Sequence, residues 1–495
     1  MSGIRKKSLK AASWIYVGFF IGAVSTYLFT HKTWFSPTQY GLTRSMLDIA
    51  ILVCAFSTLG STNLIVKFFP YYADNLQKKR NDLLGLALYI AIAGFLLTSV
   101  SLYALKPIMV QKFYNSPLLI EYFYYIIPFA FFILLYNILE AYAYGFNRGV
   151  LTSLLKETVL RVYVLVIILL KVFGFINFHQ FIGLFAIQYA VIVLILGFYL
   201  HTKGELWLSF RLSNVSKKFR KKIFALLSLT FIVIIVGVLR SVIDTLVLAS
   251  KQDLDKVGIF GFSTYLVSVM QAPFRSLLAI TIPILARSWK DKNIKEINRI
   301  YHRSSINLLT FSLFVFICIW LNFDNAILTF KMNPDYLLGK WVFFILGIVA
   351  TIEMGTGVNG QIIGTSIYWR FELWTSLLLT AMIIPLSYFL TISYGIYGPA
   401  LGNLISFAVY NFVRFWFLWK KFHMQPFNKK TLEIIGITIL AYLAVYFIFR
   451  DMQGWLGLIF STASFTAIFG LGVYFRNISP DVKPVVNGLL KRLGR

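Results

Sequence analysis

The sequence predicts an all-α polytopic membrane fold: about fourteen transmembrane helices, read as two parallel six-helix repeats plus two C-terminal helices. Three observations lead there. Of 495 residues, 58% are hydrophobic and only 13% are charged, which is more apolar surface than one or two soluble cores can hide. The apolar residues fall in stretches of roughly 20, which at about 1.5 Å per residue match a hydrocarbon core of about 30 Å. The connections between these stretches alternate basic and neutral from one end of the chain to the other.

Taken in order, the first stretch, Ala11–Thr30, comes after the charged start MSGIRKKSLK. It is too long for a cleaved signal and lacks a small-residue cleavage site, so it is expected to stay as a helix. Leu42–Ile65 comes next and is stopped by the basic run from Lys67 to Arg80; Leu83–Leu105 and Leu118–Leu139 are the third and fourth. Val150–Phe173 starts after Arg148, and Gln180–Leu200 ends at a run of seven basic residues between Lys203 and Lys222. The second series is Ile223–Ala249, Val257–Leu285, Ser304–Asn322, Leu338–Asn359, Tyr368–Leu390 and Ile396–Trp419, and the last two spans are Leu432–Phe449 and Trp455–Phe475. This divides the chain into an N-terminal six-helix lobe (1–200), a basic cytoplasmic linker (201–222), a C-terminal six-helix lobe (223–420) and a tail segment with helices 13 and 14 (421–495). No connection has the length or pattern of a folded extramembrane domain, so the function must sit in the bundle and its short loops.

The net charge of +28 would suggest nucleic acid in a soluble protein. Here 32 of the 47 Lys and Arg residues fall on one side of the expected topology, nine on the other and six inside spans. By the positive-inside rule both termini are cytoplasmic, and the basic face attracts membrane lipid head groups rather than nucleic acid. Cys54 and Cys318 both fall within spans, so neither a disulfide framework nor a metal cluster is expected. Five histidines (His31, His179, His201, His302, His423) lie in loops or at span ends, with no HExxH, P-loop or GxSxG motif. The sequence therefore does not read as an enzyme and calls for no cofactor, leaving H+ or Na+ coupling open.

The halves also match in sequence. Tyr40-Gly41 leads into the second span and Phe260-Gly261 into the eighth; Pro70-Tyr-Tyr-Ala73 and Pro283-Ile-Leu-Ala286 end them before basic loops, at nearly the same offset along the chain. Phe181–Ala186 and Tyr397–Gly402 repeat the theme more faintly, at an offset between those two. A six-helix repeat enters the membrane twice in the same direction, with the halves related by an axis along the bilayer normal.

Ser36-Pro-Thr-Gln-Tyr40-Gly41, the adjoining helix with Leu59-Gly60, and Phe68-Phe69-Pro70 resemble the opening of the Wzx-type oligosaccharide flippases of the MOP superfamily. Arg240-Ser-Val-Ile-Asp244 and Val257-Gly258-Ile-Phe260 resemble that family's second repeat, although Tyr is commoner there than Phe260. The resemblance covers the whole chain through its helix number, loop lengths and repeat, and implies a MOP/MATE-like fold. It implies a transporter in the bacterial cytoplasmic (inner) membrane that moves an undecaprenyl diphosphate-linked oligosaccharide to the periplasmic leaflet by alternating access. That activity serves O-antigen, capsule or exopolysaccharide assembly, with polysaccharide polymerase machinery as a partner. Relatives that flip lipid II and relatives that export drugs share the fold, so fold does not settle cargo.

Ionisable side chains at bilayer depth are functional candidates because each is costly unless it meets water, a partner or cargo. Arg44, Lys156, Arg161, Arg240 and Arg275 are the candidates for an anionic cargo; Asp48, Glu157, Asp244 and Glu353 are the candidates for ion coupling or gating. Arg161, about 16 Å into the fifth span, is the foremost of them. Lys156 lies about 140° round the helix from it. Arg44/Asp48 and Arg240/Asp244 are four apart and form either an outer gate or self-neutralising pairs. Arg414 is expected to snorkel to the interface, while Pro273 beside Arg275 loosens that helix. Glu140 and Glu372 lie near helix ends. Glu353 sits among Gly355, Gly357 and Gly360, a run that close helix packing explains equally well.

A diphosphate-linked sugar also calls for amides and aromatic rings, which Asn63, Asn137, Gln188, Gln271, Asn359, Gln361, Asn403, Tyr16, Tyr27, Tyr136 and Tyr265 supply. Two other classes compete. A polysaccharide polymerase or ligase needs a large outer loop, but the longest outer connection here, around Phe323–Leu337, is short. A drug or cation antiporter needs a net acidic pocket, whereas basic residues outnumber deep acidic ones in these spans.

Overall fold

The computed structural model describes residues 17–18, 20–479 and 481. Tyr16 and most of the first expected span lie outside them. Contacts divide the chain into two compact units, Met1–Gly258 and Ile259–Arg495. Among the described residues, eleven helices are long and apolar enough to cross a membrane, which makes this a multi-pass membrane protein.

The principal helices of the first unit are α1 (Phe20–Thr30), α2 (Pro37–Thr58), α3 (Ser61–Asn75), α4 (Leu83–Ala104), α5 (Ile126–Gly145), α6 (Gly149–Leu154), α7 (Leu160–Val172), α8 (Phe178–Ala186), α9 (Gln188–Thr202) and α10 (Asn214–Lys251). α2 starts on a capping box: the Ser36 hydroxyl accepts the Gln39 N–H at 3.2 Å, the Gln39 side chain accepts the Ser36 N–H, and Pro37 takes the first turn. It packs against α4, α5 and α10, burying Leu42 and Met46 completely.

The span expected over Leu42–Ile65 is broken. Leu59 (φ 45°) and Gly60 (φ 81°) are both left-handed, so α2 stops and α3 starts afresh. At Gly60 a Cβ would lie 2.6 Å from Thr230 Oγ1 and 2.8 Å from the Leu227 carbonyl of α10, which leaves no room for a side chain where the two backbones meet. The span expected over Val150–Phe173 is likewise interrupted: a π turn, Leu155–Val159, separates α6 from α7. Such a turn inserts one residue into the ladder and rotates the helix beyond it.

α11 (Leu254–Met270) leads out of the first unit. Its first turn lies against the start of α2: a Cβ on Gly41 would lie 1.9 Å from the Leu254 carbonyl, one on Gly258 would lie 2.2 Å from that of Pro37, and Thr38 donates to Asp255. The span expected over Val257–Leu285 ends here at Gln271, and α12 (Ala272–Lys290) begins with Pro273 in its first turn.

The remaining helices are α13 (Ile294–Thr329), α14 (Gly339–Gly355), α15 (Asn359–Gly364), α16 (Trp369–Tyr394), α17 (Tyr397–Phe422), α18 (Lys429–Phe449) and α19 (Gly454–Phe475). The tenth expected span, Leu338–Asn359, is cut at Gly357 (φ 62°), whose Cβ would strike Ser304 and Ser305 of α13. α18 and α19 pack on α13 through Ile306, Leu309, Ile434, Phe465 and Phe469. The Ser461 hydroxyl donates to Asn322 Oδ1 at 2.7 Å, and the Asn325 side-chain amide donates to the Gly454 carbonyl at 3.1 Å. At the basic end Arg303 Nε donates to Asp481 at 2.8 Å and Asn307 donates to the same carboxylate; these bonds, the Arg303 pair foremost, hold its carboxyl below the usual carboxylate range.

Candidate functional site

Each unit carries its own intramembrane polar cluster. In the first unit the cluster lines a cavity of about 410 Å³ bounded by α2, α3, α5, the π turn, α9 and α10. Glu140 is its acidic centre. Lys156 Nζ donates to Glu140 Oε2 at 3.3 Å and the Tyr144 hydroxyl to Oε1 at 3.1 Å. Asn63, Asn137 and Tyr189 complete the polar lining; Asn137 donates to Cys54 Sγ at 3.4 Å.

The π turn accounts for this placement. Lys156 and Glu157 sit on it, so Lys156 turns toward α5 while Arg161, just beyond it, takes other partners: Glu157 at 2.9 Å and the Gly18 carbonyl at 2.9 Å. The Gly18 backbone is pressed so close that a Cβ would fall 2.0 Å from the Glu157 carbonyl. Arg161, the foremost sequence candidate, is thus engaged with the π turn and the Gly18 backbone, and Lys156 is the cation facing the cavity.

Of the four-apart pairs, Asp48 is buried and hydrogen-bonded by Thr245 of α10, while Arg44 Nε is buried with no hydrogen-bond partner among the described residues. Arg240 and Asp244 are half-buried on α10, and Asp244 is engaged. Arg275 is exposed on α12.

In the second unit Glu353 accepts from Gln271 Nε2 at 3.0 Å, at the break between α11 and α12. One turn on, Thr356 donates to Asn411 Oδ1 at 3.0 Å and Asn359 to the same oxygen at 3.3 Å. The Asn359 carbonyl oxygen of the side chain accepts the Gly360 N–H at 2.6 Å. Arg414, expected to snorkel, is instead buried at 8% exposure. It pairs with Glu372, lies 3.7 Å from the Tyr410 ring centroid, and rests on Gly360, where a Cβ would lie 2.9 Å from the guanidinium carbon. Helix packing is the reason: α16 and α17 lie side by side and present Glu372 to Arg414, so the guanidinium finds its partner without reaching for the interface.

Sequence reading left Glu140, Glu372 and Arg414 out of the site. One signal could have found Glu140: it precedes Glu353 by the same offset that separates Pro70 from Pro283. Glu140 on α5 and Glu353 on α14 thus stand at the spacing of the two prolines. Chemically, the first cluster offers an ammonium, a carboxylate, amides and a phenol around an open space, a set that can hold phosphate or sugar hydroxyls. The second is filled by its own Arg–Glu pair.

No protein-family model and no curated protein matches the chain. Solved structures do. A structure described as lipid II flippase MurJ, inward closed conformation, aligns over 95% of this chain and 99% of its own, with a TM-score of 0.75 and 14% identity. An inward-facing multidrug resistance MATE family transporter of the MOP superfamily aligns over 83% and 94%, at 0.62 and 15%. The Vibrio cholerae MATE transporter VcmN in its bent form aligns over 85% and 97%, at 0.53 and 15%. At such low identity and high coverage the likeness is one of architecture: the chain carries the fold of the MOP-superfamily transporters.

Proposed function

We propose that this protein is a flippase that carries a polyprenyl diphosphate-linked oligosaccharide from the cytoplasmic to the outer leaflet by alternating access. The observation that carries the reading is the difference in coverage among the structural relatives. The flippase aligns over 95% of the chain and the MATE transporters over 83–85%, a gap comparable in size to the terminal pair α18–α19. A likeness to a structure named as a lipid flippase that takes in this additional length suits a lipid-borne cargo. The excess of intramembrane cations supports the same reading, because a diphosphate needs fixed positive donors when it leaves water.

Lys156 and Arg240 are assigned to the cargo phosphates, with Arg44, Arg161 and Arg275 as further cationic positions. Glu353, Asp244, Asp48 and Glu157 are assigned to coupling or gating, by H+ or Na+. A second reading, transport of lipid II itself, is favoured by the name of the flippase structure that aligns over 95% of the chain.

The test is leaflet exchange of fluorescent polyprenyl diphosphate sugars in liposomes, with and without proton and sodium gradients. Loss of a charge-assisted contact worth about 1.5–3 kcal/mol lowers transfer about tenfold or more in Lys156→Gln and Arg240→Gln. Full rates in both variants would remove these residues from the path. Transport of organic cations with no exchange of any diphosphate lipid would overturn the whole reading.

A further inference from the structure

We propose that the first unit holds an anionic phospholipid at its basic end, in a cavity between α3 and α10 that is separate from the intramembrane cluster. The cavity is about 520 Å³ and brings Lys67 of α3 and Lys222 of α10 to one space. Three rings wall it: Phe219 lies 5.7 Å from Phe68 and 5.8 Å from Tyr71, centroid to centroid, and the Lys222 ammonium lies 5.6 Å from the Phe219 ring.

Among the described residues, neither lysine is paired with a carboxylate. Two ammonium groups facing one cavity repel unless an anion lies between them. The lining identifies the anion's carrier. On α10, Phe219, Lys222 and Leu229 fall at i, i+3 and i+10, one stripe of the helix that runs from charge to hydrocarbon over about 10 Å below Lys222. A free phosphate has no use for that apolar floor, whereas a lipid with its phosphate at the lysines lays an acyl chain along it. The exposed Tyr71 ring sits at the rim, where an apolar body with a polar tip suits the head-group layer. This inference does not depend on the cargo proposed above.

The experiment uses the full-length protein in a neutral detergent, with thermal unfolding followed as phosphatidylglycerol, phosphatidylcholine or inorganic phosphate is added. Phosphatidylglycerol is expected to raise the apparent Tm by about 3 °C or more, with no shift from the other two. Lys67→Gln/Lys222→Gln should lose that shift. The control Lys295→Gln/Lys429→Gln, which removes the same charge from exposed positions in the other unit, should keep it. Lipid phosphorus that copurifies with each variant gives a second reading that does not depend on unfolding, with less expected only in the Lys67/Lys222 variant. Equal shifts from phosphatidylglycerol and phosphatidylcholine, an undiminished shift in that variant, or an equal loss in the control would overturn the assignment. A shift produced by polyprenyl diphosphate alone would assign the cavity to cargo and would also overturn it.

Discussion

A guanidinium enclosed among apolar helices is tolerated only when its charge is answered inside the same enclosure. Arg414 meets that condition through Glu372, the Tyr410 ring and the bare backbone of Gly360. Removing one partner of a buried pair leaves the other uncompensated, at a cost of about 3–5 kcal/mol, while replacing both with apolar groups is often close to neutral. Glu372→Gln is therefore expected to lower thermal stability in detergent sharply, and Glu372→Leu/Arg414→Met to recover most of the loss. Equal loss in the single and double variants would show that the pair does not act as a unit. The sequence displayed the depth of Arg414 but hid its partner, because Glu372 lies on a different helix and only the packing of α16 on α17 brings them together. Lys156 was legible as a candidate, but its pairing with Glu140 was not, for the same reason.

Helix existence was easy to read and helix continuity was not. Hydropathy sees one apolar window from Leu42 to Ile65, yet the backbone reverses hand at Leu59-Gly60; nothing in apolarity registers a φ angle. A helix also ends at Gln271, there without a change of hand, and the offset from Leu59 to Gln271 nearly equals that from Pro70 to Pro283. The two interruptions thus fall at the spacing of the sequence matches. At Gly60 two demands coincide, a left-handed φ and close contact with α10. An L-residue there costs about 1–2 kcal/mol for its backbone alone, plus the clash with Thr230 and Leu227. Gly174 has a similar φ of 78° but open space around it. Gly60→Ala is expected to destabilise by about 2–4 kcal/mol and Gly174→Ala by about 1–2, read as the difference in unfolding midpoints. Equal effects would mean that the approach of α10 is not what holds the break.

For the molecule as a whole, the charge asymmetry leads to the prediction that Lys203–Lys222 face the cytoplasm and Lys106–Lys112 the opposite side. A cysteine at Lys218 should react with a membrane-impermeant maleimide only in inside-out vesicles, and one at Lys112 only in right-side-out vesicles. The opposite pattern would invert the topology. The background is low because Cys54 is buried and Cys318 half-buried within their helices.

The length of α10 has a mechanical consequence. Its 38 residues make a rod of about 57 Å, nearly twice the hydrocarbon thickness, and its leading turns carry Lys217, Lys218, Arg220, Lys221 and Lys222. With no proline along it, such a rod would transmit a tilt along its whole length. A swing of about ten degrees about a point at mid-depth, some 30 Å from the leading end, becomes a stroke on the order of 5 Å at that end. Any small adjustment deep in the oily layer would thereby be magnified at the aqueous margin, carrying five positive charges with it.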